Sequence, residues 1–199
     1  EEMPERGLAG VRAIFQGLSA YEPNYEAFGK IERHNDIGYP SVLMFTDANT
    51  EDVVSDPNGY NWNGNSLDYS DRTYTSYESQ MVWNDHYNAI YVANTVIKGY
   101  NTGEDPTNQE ARFFYAQGLA ARAYFYFNLA QLYQFTYKDN ETKPCIPVVT
   151  DENTAKSQVE GTPCSTVEET YTQIKSDIDH AITLLEGTSY EREDKRYIS

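Results

Sequence analysis

Apolar residues recur three and four positions apart in four stretches of the chain, the spacing that lines one face of an α-helix. In residues 4–20 the repeat is Leu8, Val11, Phe15 and Leu18, behind a Pro4 that suits a helix opening because its missing N–H would go unpaired there. Residues 76–98 carry Trp83, Tyr87, Ile90, Asn94 and Ile97 on one stripe, and Gly99 can supply a left-handed cap. Residues 108–135 carry Ala111, Phe114, Gly118, Ala121, Phe125, Leu129 and Leu132, with Leu119, Tyr126 and Tyr133 off that stripe, so this helix is expected to pack on two sides. Gly118, Ala120, Ala121 and Ala123 would let a neighbouring helix come close. The cleanest stripe, in residues 166–186, is Val167, Tyr171, Ile174, Ile178, Ile182 and Leu185, ended by Gly187. Thr75 with Glu78, Thr107 with Glu110, and Ser165 with Glu168 have the spacing of reciprocal capping boxes.

Two long connections separate these helices. Residues 21–75, rich in Asn, Asp, Gly and Tyr, are too long for a plain link and read as functional or lightly structured. Residues 136–164 contain an extended run, Ile146-Pro147-Val148-Val149. The pattern predicts an all-α fold of tetratricopeptide-like helical hairpins with long irregular loops. An irregular helical bundle is the alternative, since the repeat is degenerate. Residues 1–199 are expected to form a single helical domain, and the charged tail 189–199, which lacks a stop signal, reads as the point where a longer protein continues.

Charge narrows the partners. A net charge of -16 over 199 residues, without a basic run, disfavours nucleic acid and an anionic membrane surface. No apolar run approaches the length of a membrane span, and residues 1–4 carry neither a basic region nor an apolar core of a signal peptide. Aromatics reach 14%, with 18 Tyr against 8 Phe, and Tyr joins an apolar ring to a polar tip. That chemistry suits sugar rings, whose CH faces stack on aromatics while their hydroxyls bind polar groups; helix packing uses Tyr as well.

Enzyme signatures are missing: there is no phosphate loop, dinucleotide fingerprint or nucleophile elbow. His34, His86 and His180 have no ligand spacing around them and read as surface or packing residues, so no metal or cofactor is expected. Glycoside hydrolysis needs two carboxylates across a cleft, and Asp177 with Asp179, two positions apart on a helix, point to different faces and read as a solvated surface. The best binding candidate is the stretch from Asn58 to Asn65, with Tyr60, Asn61, Trp62 and Asn63 as its ligand-binding residues: two rings set among amides that both donate and accept. Its alternatives are a polar turn with Trp62 tucked into the core, or a calcium loop starting at Asp56 and Asn58 that lacks the rest of its pattern.

Arg122-Ala123-Tyr124-Phe125-Tyr126-Phe127-Asn128-Leu129 resembles the helix that SusD/RagB proteins write as Arg-Ala-x-x-Tyr-x-x-Leu, preceded by Glu110-Ala111-Arg112. Leu132-Tyr133 and the Ile146–Val149 run resemble the family's following Leu-Tyr and Pro-containing turn. Ser165 to Tyr171, with Ile174, Asp177, Ile178, Ala181 and Leu185, resembles its next helix, and Trp83, Tyr87, Ile90 and Asn94 its Trp-x3-Tyr-x2-Ile-x3-Asn helix. The resemblance covers residues 77–187 well and the N-terminal part weakly. It implies a non-catalytic, surface-exposed lipoprotein of a Bacteroidetes-type outer membrane that caps a SusC-like TonB-dependent transporter and captures an oligo- or polysaccharide or another nutrient. Membrane contact would be only through a lipid anchor before Glu1. The helical motif residues would be scaffold. A helical-repeat protein-interaction scaffold without a ligand site is the second reading, and a glycoside hydrolase the third.

The chain departs from the family at Cys145, where the family often has Gly, and at Cys164, where it often has Arg; these are its only cysteines. Two such departures flanking one loop suggest a disulfide in an oxidising compartment, worth roughly 3 kcal/mol in the chain-entropy model. Reduction of the purified protein is then expected to raise its intact mass by about 2 Da; an unchanged mass means two free thiols.

Overall fold

The structure is a computed structural model that describes residues 7, 9–14, 35–36, 38–54 and 59–187. The expectations at Leu8, Phe15, Leu18, His34, Asp56, Asn58 and the tail lie outside them. Among the described residues the helices are α1 (Tyr39–Ala48), α2 (Gly64–Leu67), α3 (Tyr77–Tyr100), α4 (Gln109–Tyr133), α5 (Thr154–Glu160) and α6 (Val167–Leu185), and residues 9–14 are helical too. The fold is all-α: the β structure among them is one antiparallel bridge, Pro144 with Thr166. The chain forms two compact units, residues 16–87 and residues 1–15 with 88–199.

In the larger unit, α4 is buried nearly all round, from Phe113 to Ala130, as its two-sided apolar pattern predicts. Gly118 is the point of closest approach to α3, since a Cβ there would lie 3.0 Å from Ile97 and 3.2 Å from Val96. Residues 9–14 bury Val11 and Ile14 and lay Gly10 against Val96. α6 packs along α4.

The face that α6 buries differs from its apolar stripe. Val167, Thr170, Ile174, Asp177, Ala181 and Leu184 point inward, while Ile178 is 43% and Ile182 55% exposed. The cause is Asp177, which is 2% exposed and not on a solvated surface. It takes both Nε and a terminal nitrogen of Arg122, each at 2.8 Å. Arg122 also donates to Asn94 Oδ1 at 2.8 Å and to Asp151 Oδ1 at 2.9 Å. Burial works against the charged guanidinium, but the hydrogen bonds and charges of Asp177 and then Asp151 outweigh it and hold its pKa above the ordinary value. A two-pronged ionic bond in a dry site constrains rotation more tightly than two isoleucines that gain only area.

The connection 136–164 is fastened by the same cluster. Asn94 donates to the Val149 carbonyl at 2.9 Å. The Tyr126 hydroxyl donates to that carbonyl at 2.6 Å and accepts from the Val149 N–H at 2.7 Å; its burial pushes the phenol pKa up. Residues 146–149 are non-helical, next to the Pro144–Thr166 bridge, with Ile146 fully buried. Three helices escaped the sequence pattern: α1 and α2 in residues 21–75, and α5 in residues 136–164. They are short, at 10, 4 and 7 residues, and such lengths leave too few apolar repeats to read.

All three expected capping boxes sit one residue too early. Ser76 accepts from the Ser79 N–H at 3.1 Å, so Thr75 and Glu78 do not cap α3. Asn108, not Thr107, accepts from Glu110 and Ala111. Thr166 and Glu169 form the capping box of α6, because Ser165 is already committed to the bridge: it donates to the Ile146 carbonyl and accepts from the Cys145 N–H. Beside that bridge Cys145 is half-buried and Cys164 exposed, and both are free thiols in this structure.

Removing Arg122 would leave two buried carboxylates without their cationic partner. Arg122→Met is therefore expected to cost about 3–5 kcal/mol in denaturant unfolding. The half-buried Arg112, which donates to the Thr183 and Glu186 carbonyls at the end of α6, should cost about 1 kcal/mol when changed to Met.

Candidate ligand-binding site

The smaller unit holds the aromatic loop that the sequence singled out. Gly59 and Asn61 both take positive φ, 65° and 46°, a region open to Gly and tolerated by Asn. These two reversals make a tight turn in which Gly64 N–H donates to the Asn61 carbonyl at 3.1 Å. The Asn61 carboxamide lies over Gly64, where a Cβ would fall 2.2 Å from its nitrogen. Asn61 thus folds back on its own turn and supports it.

The turn throws two rings outward. Tyr60 is 78% and Trp62 44% exposed, and their rings stack with centroids 6.2 Å apart and planes 28° from parallel. Trp62 is accordingly not tucked into the core. Its backbone is fixed by Asn35, which donates to the Trp62 carbonyl at 3.2 Å and accepts from the Tyr77 hydroxyl at 3.2 Å. Asn35 therefore ties the turn to the first residue of α3.

Trp62 also forms one wall of a cavity of about 20 Å3. Met44 and Phe45 of α1 and Met81 of α3 supply apolar walls, while Asn63, Ser66 and Glu78 supply polar ones. Asn63 precedes α2 without its side chain capping it. Glu78 is 5% exposed and accepts from Asn65 Nδ2 on Oε1 at 3.0 Å. Among the described residues no Lys, Arg or His lines the cavity.

The four expected ligand residues thus fall into two roles. Trp62 and Asn63 line the cavity, and Tyr60 stacks on Trp62 outside it; Asn61 shapes the turn. Sequence reasoning missed Glu78, Asn35, Ser66 and the apolar walls. Glu78 was assigned to a cap that Ser76 and Ser79 make instead, and the Ser-x-x-Ser spacing at the same helix start was the available signal. The other two histidines serve packing and a surface pair. His86 is buried 6.3 Å from the Tyr39 ring, and His180 pairs with Asp105 at 2.7 Å.

Residues 36–197 match the model of a SusD-like family described as starch-binding and associating with the outer membrane. The chain belongs to the SusD-like family. None of the curated proteins matches it. Among solved structures, a SusD-like carbohydrate-binding protein from Bacteroides vulgatus aligns over 98% of this chain and 38% of its own, with a TM-score of 0.79 at 23% identity. A laminarin-binding SusD-like protein aligns over 92% of this chain and 34% of its own, with a TM-score of 0.57 at 20% identity. At these identities the likeness is one of fold. The chain spans little more than a third of the length of either structure. No helix among its described residues is long and apolar enough to cross a membrane.

Asn35→Ala removes both hydrogen bonds that hold the Trp62 backbone to α3. It is expected to cost about 1 kcal/mol and to lower the steady-state anisotropy of the Trp62 emission, measured in a Trp83→Phe background, while leaving the helical circular dichroism unchanged.

Proposed function

We propose that this chain is the part of a SusD-like outer-membrane lipoprotein that binds glycan without catalysis, and that it works with a SusC-like TonB-dependent transporter. The stacked, exposed rings of Tyr60 and Trp62 beside a polar cavity carry the reading. A sugar's CH face covers an aromatic ring while one projecting hydroxyl meets the polar wall of Asn63, Ser66 and Glu78, each of which accepts a hydrogen bond. Family membership supports a carbohydrate ligand and an outer-membrane setting. Catalysis fits poorly, since glycoside hydrolysis needs two carboxylates facing across a cleft and the described lining has one, Glu78.

A second reading, a helical scaffold that contacts other proteins, draws on the larger unit. Ile178 and Ile182 on α6 are exposed there, as are Tyr124 and Phe127 on α4. Apolar side chains at such density suit a protein interface.

Affinity electrophoresis of the full-length mature protein and of this chain, against starch, laminarin and a wider polysaccharide panel, separates the two. Trp62→Ala is expected to weaken binding about tenfold or more. Binding by the full-length protein alone moves the ligand site out of this chain, and no binding by either favours the scaffold.

A further inference from the structure

The cavity beside Trp62 is small. At about 20 Å3 it holds one water-sized group and cannot hold a pyranose ring. A sugar stacked on Trp62 could therefore send in only an arm that projects from its ring.

The walls specify that arm. Met44, Phe45 and Met81 present apolar surface, which suits a methylene. Glu78 presents a carboxylate, 95% withdrawn from solvent, whose Oε1 is engaged by Asn65. Its Oε2 takes no hydrogen bond among the described residues. An ionised carboxylate only accepts, so a group meeting it must donate. A carbon that carries one O–H donor meets both requirements: it is the hydroxymethyl group on C5 of a hexose.

We propose that Glu78 makes this site select neutral hexoses by their hydroxymethyl arm and reject the matching uronates; the proposal rests on the glycan-binding reading above. A uronate carries a carboxylate at the same carbon. It brings a second negative charge and no donor to Glu78, with no Lys, Arg or His in the described lining to offset it. Burial strengthens that repulsion, because little water lies between the two charges. A pentose has no arm at this position and leaves the cavity to water. Ser76 makes the role possible: by capping α3 through Ser79 it leaves the Glu78 side chain out of the capping box that sequence spacing suggests and available to the cavity.

The test compares starch and laminarin with the same polysaccharides after selective oxidation of their C6 hydroxyls to carboxylates, and with xylan, which lacks the arm. Binding is measured by calorimetry on the full-length mature protein, as wild type and as Glu78→Gln, with thermal melting to show that the variant folds. Wild type is expected to bind the oxidised forms and xylan about tenfold more weakly than the neutral glucans. Glu78→Gln should raise the oxidised-to-neutral affinity ratio severalfold, since it keeps the shape and removes the charge. Equal binding of neutral and oxidised forms, preference for xylan, or an unchanged ratio in Glu78→Gln each overturns the proposal while the glycan-binding reading stands. Failure to bind any polysaccharide overturns that reading, and this proposal with it.

Discussion

Arg122 is the joint on which the larger unit depends. Its guanidinium reaches Asn94 on α3, Asp177 on α6 and Asp151 in the connection between α4 and α6. Three pieces of chain distant in sequence thus meet one side chain of α4. Lone buried charges are costly, and a buried arginine is tolerated only when its donors are spent. Here the neighbours are themselves held: Gln173 donates to Asp177, Asn101 to Asp151, and Asn94 to the Val149 carbonyl. Each partner is oriented by a second hydrogen bond, so the cluster sets positions as well as contributing energy.

Two features of the larger unit follow from that joint. α6 must turn Asp177 inward, so Ile178 and Ile182 are left at the surface although they extend its apolar stripe. The run 146–149 must pass where Asn94 and Tyr126 can pair the backbone of Val149, beyond the backbone pairing of Ile146 with Ser165. Close approach of α3 and α4 at Gly118 then brings Asn94 within reach of Arg122. A helix buried on nearly every side can carry such a polar group at its centre because α3, α6 and the connection between α4 and α6 each bring a partner to it.

The smaller unit works with weaker constraints. Its aromatic loop is shaped by short-range geometry: positive φ at Gly59 and Asn61, and the fit of Asn61 against Gly64. Asn35 is a long-range anchor of the Trp62 backbone. The result leaves two rings exposed yet ordered against each other.

The sequence determined a good deal by local rules. Periodicity located α3, α4 and α6, and the run Ile146–Val149 read as extended because Pro and β-branched residues exclude helix. Ordered motifs along residues 77–187 placed the chain in its family. The pairing of rings with amides singled out Tyr60, Asn61, Trp62 and Asn63, of which Trp62 and Asn63 line the cavity. Tertiary structure decided the rest. Hydrophobic spacing shows that a helix is amphipathic, but the Arg122–Asp177 pair set which face of α6 turns in, through a contact 55 residues apart. Capping spacing was ambiguous by one residue, and the Pro144–Thr166 bridge settled it at α6 by occupying Ser165. Glu78 became a cavity wall because Ser76 took the cap and Asn65 took its carboxylate. Each of these outcomes depends on a partner far along the chain or on a competition between adjacent groups, and local pattern carries neither.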